Sequence, residues 1–259
     1  MELGLGGRVA IVTGGSRGIG RACVEALAAE GASVCAVGRD EDLLAEVGRT
    51  PGADVVGIAA DLTTEQGCDR AVGRCLEAFE RVDILVNCAG AAGAGNVLEL
   101  STADIDSALL LKFHGYLRMA QRVAPYMAAA GWGRIVNIAG AAGTSPTADN
   151  LPTSLANIAV HNLTRSLSDE LAPFGVLVNL ICPGLTLTDR ARTLCGPLAK
   201  AQGREVDDVL AEAAAGVPAG RAANPDEVAR VAAFLSSDAC SYMHGSAIYL
   251  DGGARRATP

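Results

Sequence analysis

The chain is poor in aromatic residues, which make up 3% of its 259 positions. A core therefore has to be filled by Ala, Val, Leu and Ile. It also lacks a basic surplus: Lys and Arg number 21 against 29 Asp and Glu, a net charge of −8. An acidic balance repels phosphate backbones and argues against nucleic acid as a general partner. No apolar run approaches the ~20 residues of a membrane span, and no basic region precedes the short apolar run near the start. The expectation is a cytoplasmic protein with no membrane partner. Eight cysteines are present, but no pair has Cys-x-x-Cys spacing, so no metal site is suggested. Cys35, Cys88 and Cys182 lie in or beside apolar runs and read as reduced thiols used as small hydrophobes. Lysine is nearly absent, with Lys112 and Lys200 the two copies, and Tyr-x-x-x-Lys occurs nowhere.

What is present is a regular alternation. Short apolar runs at 9–13, 33–37, 55–59, 84–87, 134–138, 177–181 and 247–250 read as strands. Amphipathic stretches near 19–29, 41–47, 65–80, 103–129, 155–171 and 226–235 read as helices. Buried strands alternating with helices predict one α/β domain over 1–259, a Rossmann-type doubly wound parallel sheet covered on both faces. Residues 186–224 interrupt the pattern. An insertion of that length after a strand's carboxyl end is expected to be a substrate lid.

The strongest motif is Thr13-Gly14-Gly15-Ser16-Arg17-Gly18-Ile19-Gly20, placed between the first strand and the first helix. Glycines there let the backbone approach a pyrophosphate, and the helix N-terminus offers N–H groups and a positive dipole. At the end of the second strand, where an NAD-binding fold carries a carboxylate, stand Gly38 and Arg39. Two guanidiniums, Arg39 and the nearby Arg17, suit a 2′-phosphate, so the expected cofactor is NADP(H). Asp40 is close enough to pair with Arg39 instead.

With these residues in view the chain resembles the short-chain dehydrogenase/reductase family along almost its whole length. The glycine turn is similar to that family's TGxxxGIG. Asp61-Leu62 resembles its adenine-contacting segment, and Asn87-Cys88-Ala89-Gly90 its Asn-Asn-Ala-Gly. Asn179, Pro183-Gly184 and Thr188 look like the segment flanking the nicotinamide, and Leu250-Asp251-Gly252-Gly253 is a family-like ending. The resemblance implies strand order 3-2-1-4-5-6-7. It also implies a homodimer or homotetramer packed through the long helices after strands four and five.

The family's usual chemistry uses an asparagine, a serine, a tyrosine and a lysine. Aligned on neighbouring anchors, those seats fall on Lys112, Gly140, Thr153 and Asn157. A threonine is a poor acid near neutral pH, so the standard proton relay is expected to be missing. The asparagine and lysine seats have exchanged residue types, and Lys112 is the candidate that returns an ammonium to the pocket, with a lowered pKa. The opposing reading is a snorkelling surface lysine. Asp149, Asn150 and Thr153 are expected to border a small-molecule substrate, with Ser145, His114 and His161 weaker; His161 reads as an interface or capping histidine. Two function classes stay open. One is an NADP(H)-dependent enzyme acting on a small carbonyl or hydroxyl compound, by atypical reduction or by non-redox chemistry such as dehydration, isomerisation, cyclisation or retro-aldol cleavage. The other is a non-catalytic NADP(H)-sensing or partner-binding protein.

Overall fold

The computed structural model describes residues 2–50, 53–90 and 93–256. Seven strands form one wholly parallel sheet: β1 Val9–Thr13, β2 Ser33–Gly38, β3 Val55–Ala59, β4 Ile84–Asn87, β5 Gly133–Ile138, β6 Val176–Pro183 and β7 Ala247–Leu250. Their order is β3-β2-β1-β4-β5-β6-β7, as the resemblance implied. The alternation of side chains along a strand divides β1 between two cores. Ala10 and Val12 join α1 (Gly18–Ala29) and α9 (Pro225–Leu235) on one face, through residues such as Leu27 and Val228. Val9 and Ile11 join α3 (Glu65–Phe79) on the other, with Cys68, Ala71 and Met119. Small residues and thiols fill these layers, as the shortage of rings requires. All eight cysteines are free, six of them buried.

The remaining helices are α2 (Glu41–Val47), α4 (Thr102–Leu109), α5 (Gly115–Ala130), α6 (Leu151–Leu171), α7 (Asp189–Gln202) and α8 (Val206–Ala215). The single helix expected over 103–129 differs in one respect. Between α4 and α5 the backbone widens into a π turn at Leu110–His114, which carries Lys112. Such turns insert a residue into a helix and are frequent where a side chain must be re-aimed at a site. Helix α6 starts at Leu151, four residues before the expected 155, with Pro152 in its first turn, where a missing N–H costs nothing.

The insertion over 186–224 folds into α7 and α8, and its two ends clasp each other. Leu187 N–H donates to the Ala223 carbonyl at 2.8 Å, and Ala223 N–H to the Leu185 carbonyl at 2.9 Å. Among the described residues no helix is long and apolar enough to cross a membrane, and no group of His, Cys, Asp and Glu could hold a metal ion.

Candidate active site

The strand order reverses between β1 and β4, which lie side by side with Thr13 opposite Asn87. Crevices at the carboxyl ends of strands at such a point are where parallel sheets bind ligands. Here the glycine turn meets the segment that follows β4. Thr13 is fully buried, and its hydroxyl accepts from the N–H groups of Cys88 (2.9 Å) and Ala89 (3.1 Å). Gly14 has φ +68°, and a Cβ there would stand 3.0 Å from the Ala89 backbone; one at Gly20 would overlap the Gly14 carbonyl. Gly15 N–H is pinned to the Val37 carbonyl at 3.0 Å. The turn is therefore a cradle of bare backbone. Helix α1, opening at Gly18 and Ile19, starts with no side-chain cap and no acid in its first turn, unlike α2, α3 and α4, whose first N–H groups are capped. Its free N–H groups fit an anionic ligand.

At the end of β2 a Cβ on Gly38 would press on Ser16, 3.1 Å from its hydroxyl oxygen. That packing leaves little room for an acidic side chain on position 38. Asp40 does not pair with Arg39. It caps α2, accepting from Leu43 N–H at 3.2 Å, and its other oxygen lies 3.8 Å from Arg17. Arg39 is exposed, and its charge bears instead on Asp61. The Asp61 carboxyl accepts from the N–H (3.0 Å) and hydroxyl (2.8 Å) of Thr63, which hold it below the usual carboxylate range. Leu62 beside it is buried. Across the crevice, Pro183 ends β6 and Gly184 N–H donates to the Leu250 carbonyl at 3.0 Å. Thr188 caps α7 through Ala191 N–H (3.2 Å) and brings its methyl group to the edge of Gly18.

The second half of the site is built by the π turn, β5 and the start of α6. Gly140 and Asn157 face each other, and a Cβ on Gly140 would come 2.8 Å from Asn157 Nδ2. The amide of Asn157 thus occupies the space that a serine at 140 would need. Asn157 is buried, and its Oδ1 has no hydrogen-bond partner. Asn87 Oδ1 is likewise unpaired, while its Nδ2 donates to Asn137 Oδ1 at 3.0 Å; Asn137 in turn donates to Thr164 at 2.9 Å. Buried polar atoms left without partners are rare, and both oxygens mark places where a hydroxyl or amide donor of a ligand would fit.

Lys112 is half-buried and extends over the open backbone beside β4: a Cβ on Gly90 would lie 3.5 Å from its Nζ. Ala91 and Ala92, the next residues of that segment, lie outside the described ones. Burial pushes the Lys112 ammonium down to about 8, with Cys88 and Cys182 opposing and Arg190 adding to the fall. No hydrogen bond or ion pair joins Lys112 to any other described residue. Thr153 points elsewhere. Its hydroxyl donates to the Gly93 carbonyl at 3.1 Å. Together with Gly95 N–H to Asp149 O (2.7 Å) and Val97 N–H to Ala148 O (3.2 Å), this stitches the loop after β4 to the entry of α6. Asp149 and Asn150 are held in the same turn by Thr147. His114 is exposed against the edge of Phe113. His161 caps nothing: its Nε2 lies 3.4 Å from Cys182 Sγ, and burial lowers its pKa.

Sequence reasoning placed Thr13 in the glycine motif without a role and overlooked Asn137; both position the β4 end. A signal was there: each is a hydrogen-bonding residue inside an apolar strand, where burial demands a partner.

A family model described as enoyl-(acyl carrier protein) reductase matches residues 14–255. The chain belongs to the short-chain dehydrogenase/reductase family. Among curated relatives it is 37% identical to the short-chain reductase protein NovJ of Streptomyces niveus, over 95% of this chain and 93% of that one. It is 36% identical to the D-threitol dehydrogenase of Mycolicibacterium smegmatis, over 96% and 93%. Among solved structures it superposes on the L-sorbose reductase of Gluconobacter frateurii, complexed with NADPH and L-sorbose, with TM-score 0.94, 31% identity and full coverage of both chains. The glycine turn abuts the end of β4 where Gly14 meets Ala89, Lys112 lies beside Gly90, and Gly140 faces Asn157.

Proposed function

We propose that this protein is an NADP(H)-binding enzyme of the short-chain dehydrogenase/reductase family that acts on a small carbonyl or hydroxyl compound through a non-standard active site. The observation that carries the reading is Lys112, a desolvated amine beside Gly90, while the other three seats, Gly140, Thr153 and Asn157, offer no ionisable group. Two relatives, a ketose reductase and a polyol dehydrogenase, support small hydroxyketones and polyols as the substrate class.

The cofactor reading rests on fit. The bare turn and uncapped α1 would hold the pyrophosphate, Asp61 and Leu62 would border the adenine, and Gly38 with Arg39 and Arg17 favour a 2′-phosphate. The unpaired Oδ1 atoms of Asn157 and Asn87 would accept from donors at the nicotinamide end. When bound, the nicotinamide supplies or accepts a hydride, and the protein supplies position and polarity. Lys112, with a pKa of about 8, holds a proton near neutral pH and can give it up, which a threonine hydroxyl cannot do. The insertion of α7 and α8, anchored by its clasped ends and by Thr188 beside Gly18, is the lid over this pocket. Exposed Leu110 on the π turn and Tyr126 on α5 support assembly into a homodimer or homotetramer.

The test is incubation with NADPH and a panel of ketones, quinones and hydroxyketones, following the cofactor by absorbance and the product by mass spectrometry. Turnover is expected, reduced on the order of 10²–10⁴-fold in Lys112→Ala with NADPH binding retained. Product without cofactor oxidation assigns non-redox chemistry. Tight NADPH binding with no turnover across the panel identifies a sensor or partner subunit, and turnover undiminished in Lys112→Ala overturns the role of the amine.

A further inference from the structure

A cavity of about 260 Å³ lies at the root of the lid. Its wall comes from three places: Leu185 where the chain enters the lid, Val217 and Ala223 where it leaves, and Tyr249, Leu250 and Asp251 at the carboxyl end of β7. That is the side of a parallel sheet on which ligands bind. Strand register sets its distance from Gly140. Ile138 on β5 is level with Ile181 on β6, and Pro183, two residues on, is level with Leu250 on β7. Gly140 also stands two residues past Ile138, in extended backbone, so about two strand spacings, ~10 Å, separate it from Leu250. Side chains bridge the interval. The Tyr249 hydroxyl donates to the Thr144 hydroxyl at 3.2 Å, and Thr144 belongs to the turn that starts directly after Gly140. Helix α6 passes both ends: Asn157 faces Gly140, and His161, one turn on, lies with its ring centre 6.3 Å from that of Tyr249.

The wall divides by chemistry. Leu185, Val217, Ala223 and Leu250 offer apolar contact. Arg221 and Glu227 neutralise each other through two contacts of 2.7 Å. The Arg255 guanidinium lies over the Tyr249 ring, 4.1 Å from its centre. Asp251 remains. Its carboxylate accepts from the N–H groups of Gly253 (3.0 Å) and Arg255 (2.9 Å) and has no ion-pair partner among the described residues. Those two bonds fix its orientation, and each oxygen keeps the capacity to accept another. We propose that this cavity takes the far end of a polyhydroxylated carbonyl compound whose reacting carbon stands at Gly140 and Asn157, a reading that rests on the function proposed above. With carbon–carbon bonds of ~1.5 Å, a chain of about five or six carbons covers most of the distance, and a hydrogen bond covers the rest. The carbon chain packs on Leu185, Val217 and Leu250, and the distal hydroxyls donate to the Asp251 carboxylate, a charge-assisted contact. Asp251 thereby selects for chain length and hydroxylation, and a three-carbon hydroxyketone falls short of it.

The test is a chain-length series: hydroxyacetone, erythrulose, xylulose, fructose and tagatose. Binding is measured by calorimetric titration with and without NADPH, and turnover by cofactor absorbance. Affinity is expected to rise at least about tenfold from hydroxyacetone to the better ketohexose, the increment of one hydrogen bond to a charged group. Two variants locate the gain. Asp251→Asn removes the charge, and Ala219→Phe fills the cavity from the exposed exit of the lid. Each is expected to cut the preference for ketohexose over hydroxyacetone about tenfold, with the loss in KM. Thermal unfolding and NADPH binding identify the variants that are folded. Absence of any preference for the longer chains, or a preference that survives in the folded variants, overturns the proposal. Hydroxyacetone and ketohexoses turned over alike remove the distal pocket and leave the function proposed above. Failure to bind NADPH removes the cofactor reading, and the titrations without it still decide the pocket.

Discussion

The glycine turn and the surroundings of Gly140 and Asn157 make different demands on their residues. At the turn the requirements fall on the backbone. A Cβ at Gly20 would overlap the Gly14 carbonyl, and one at Gly14 would press on Ala89, so only glycine satisfies those positions. In the pocket the requirement is a functional group within a volume, and another element can supply it. Asn157 fills the volume that a side chain at 140 would occupy, and in the function proposed above the amine is that of Lys112 on the π turn. Backbone constraints fix residue identities, whereas a volume can be filled by more than one set of side chains.

The largest effect that would sharpen this contrast lies in the cofactor half. Arg39→Asp is expected to weaken NADPH binding about 10–100-fold, the range for losing a charge-assisted contact to phosphate, while NADH binding changes little. Fluorescence titration of both cofactors measures it. Equal losses for the two would show that Arg39 does not read a 2′-phosphate, and that the cofactor half is less specialised than its residues suggest.

A smaller effect probes whether the pocket residues are coupled. Gly140→Ser places a Cβ 2.8 Å from Asn157 Nδ2. Overpacking of this kind costs about 1–3 kcal/mol, which in a domain of this size lowers Tm by roughly 2–4 °C per kcal/mol. Asn157→Ala opens the space, so the double variant should lie above the sum of the two single changes by at least about 0.5 kcal/mol. Strict additivity in thermal unfolding would mean that the two seats changed independently.

How much of this was legible in the sequence follows the same division. The strand at 9–13 and the turn after it could be read directly, because apolar runs and glycines report local requirements. The placing of Lys112 and Asn157 in the asparagine and lysine seats comes from alignment on anchors, which needs no coordinates, and it belongs to the proposed function. The π turn was not. It adds a residue to a helical turn without any change in the pattern of residue types, so 103–129 read as one regular helix. Nor could the sequence show that Asp40 pairs with Arg17, or that the Thr153 hydroxyl is spent on Gly93; both depend on which segments the fold brings together.

The smallest expected effect asks whether Lys112 is desolvated in the folded protein at all, and its sign is fixed by proton linkage. Half-buried with no carboxylate beside it, Lys112 is pushed down to about 8 in the folded protein, below the ~10.4 of the unfolded chain. Below pH 8 both states carry the proton, and the folded state bears the full cost of holding a desolvated ammonium. Between about 8 and 10.4 the folded state releases the proton while the unfolded state keeps it, so stability rises with pH by this contribution. Lys112→Met keeps the stem volume and removes the charge. It should therefore raise Tm at pH 7 by about 2–4 °C, the response to ~1 kcal/mol after allowance for the partial exposure of the side chain. That advantage should shrink steadily between pH 8 and 10.4, as the native lysine loses its charge, and the shared titrations of the other groups cancel in the comparison. A constant difference across this range, or a variant less stable at pH 7, would place the ammonium in water. The exchange of seats would then have left a surface lysine, and the pocket no working amine.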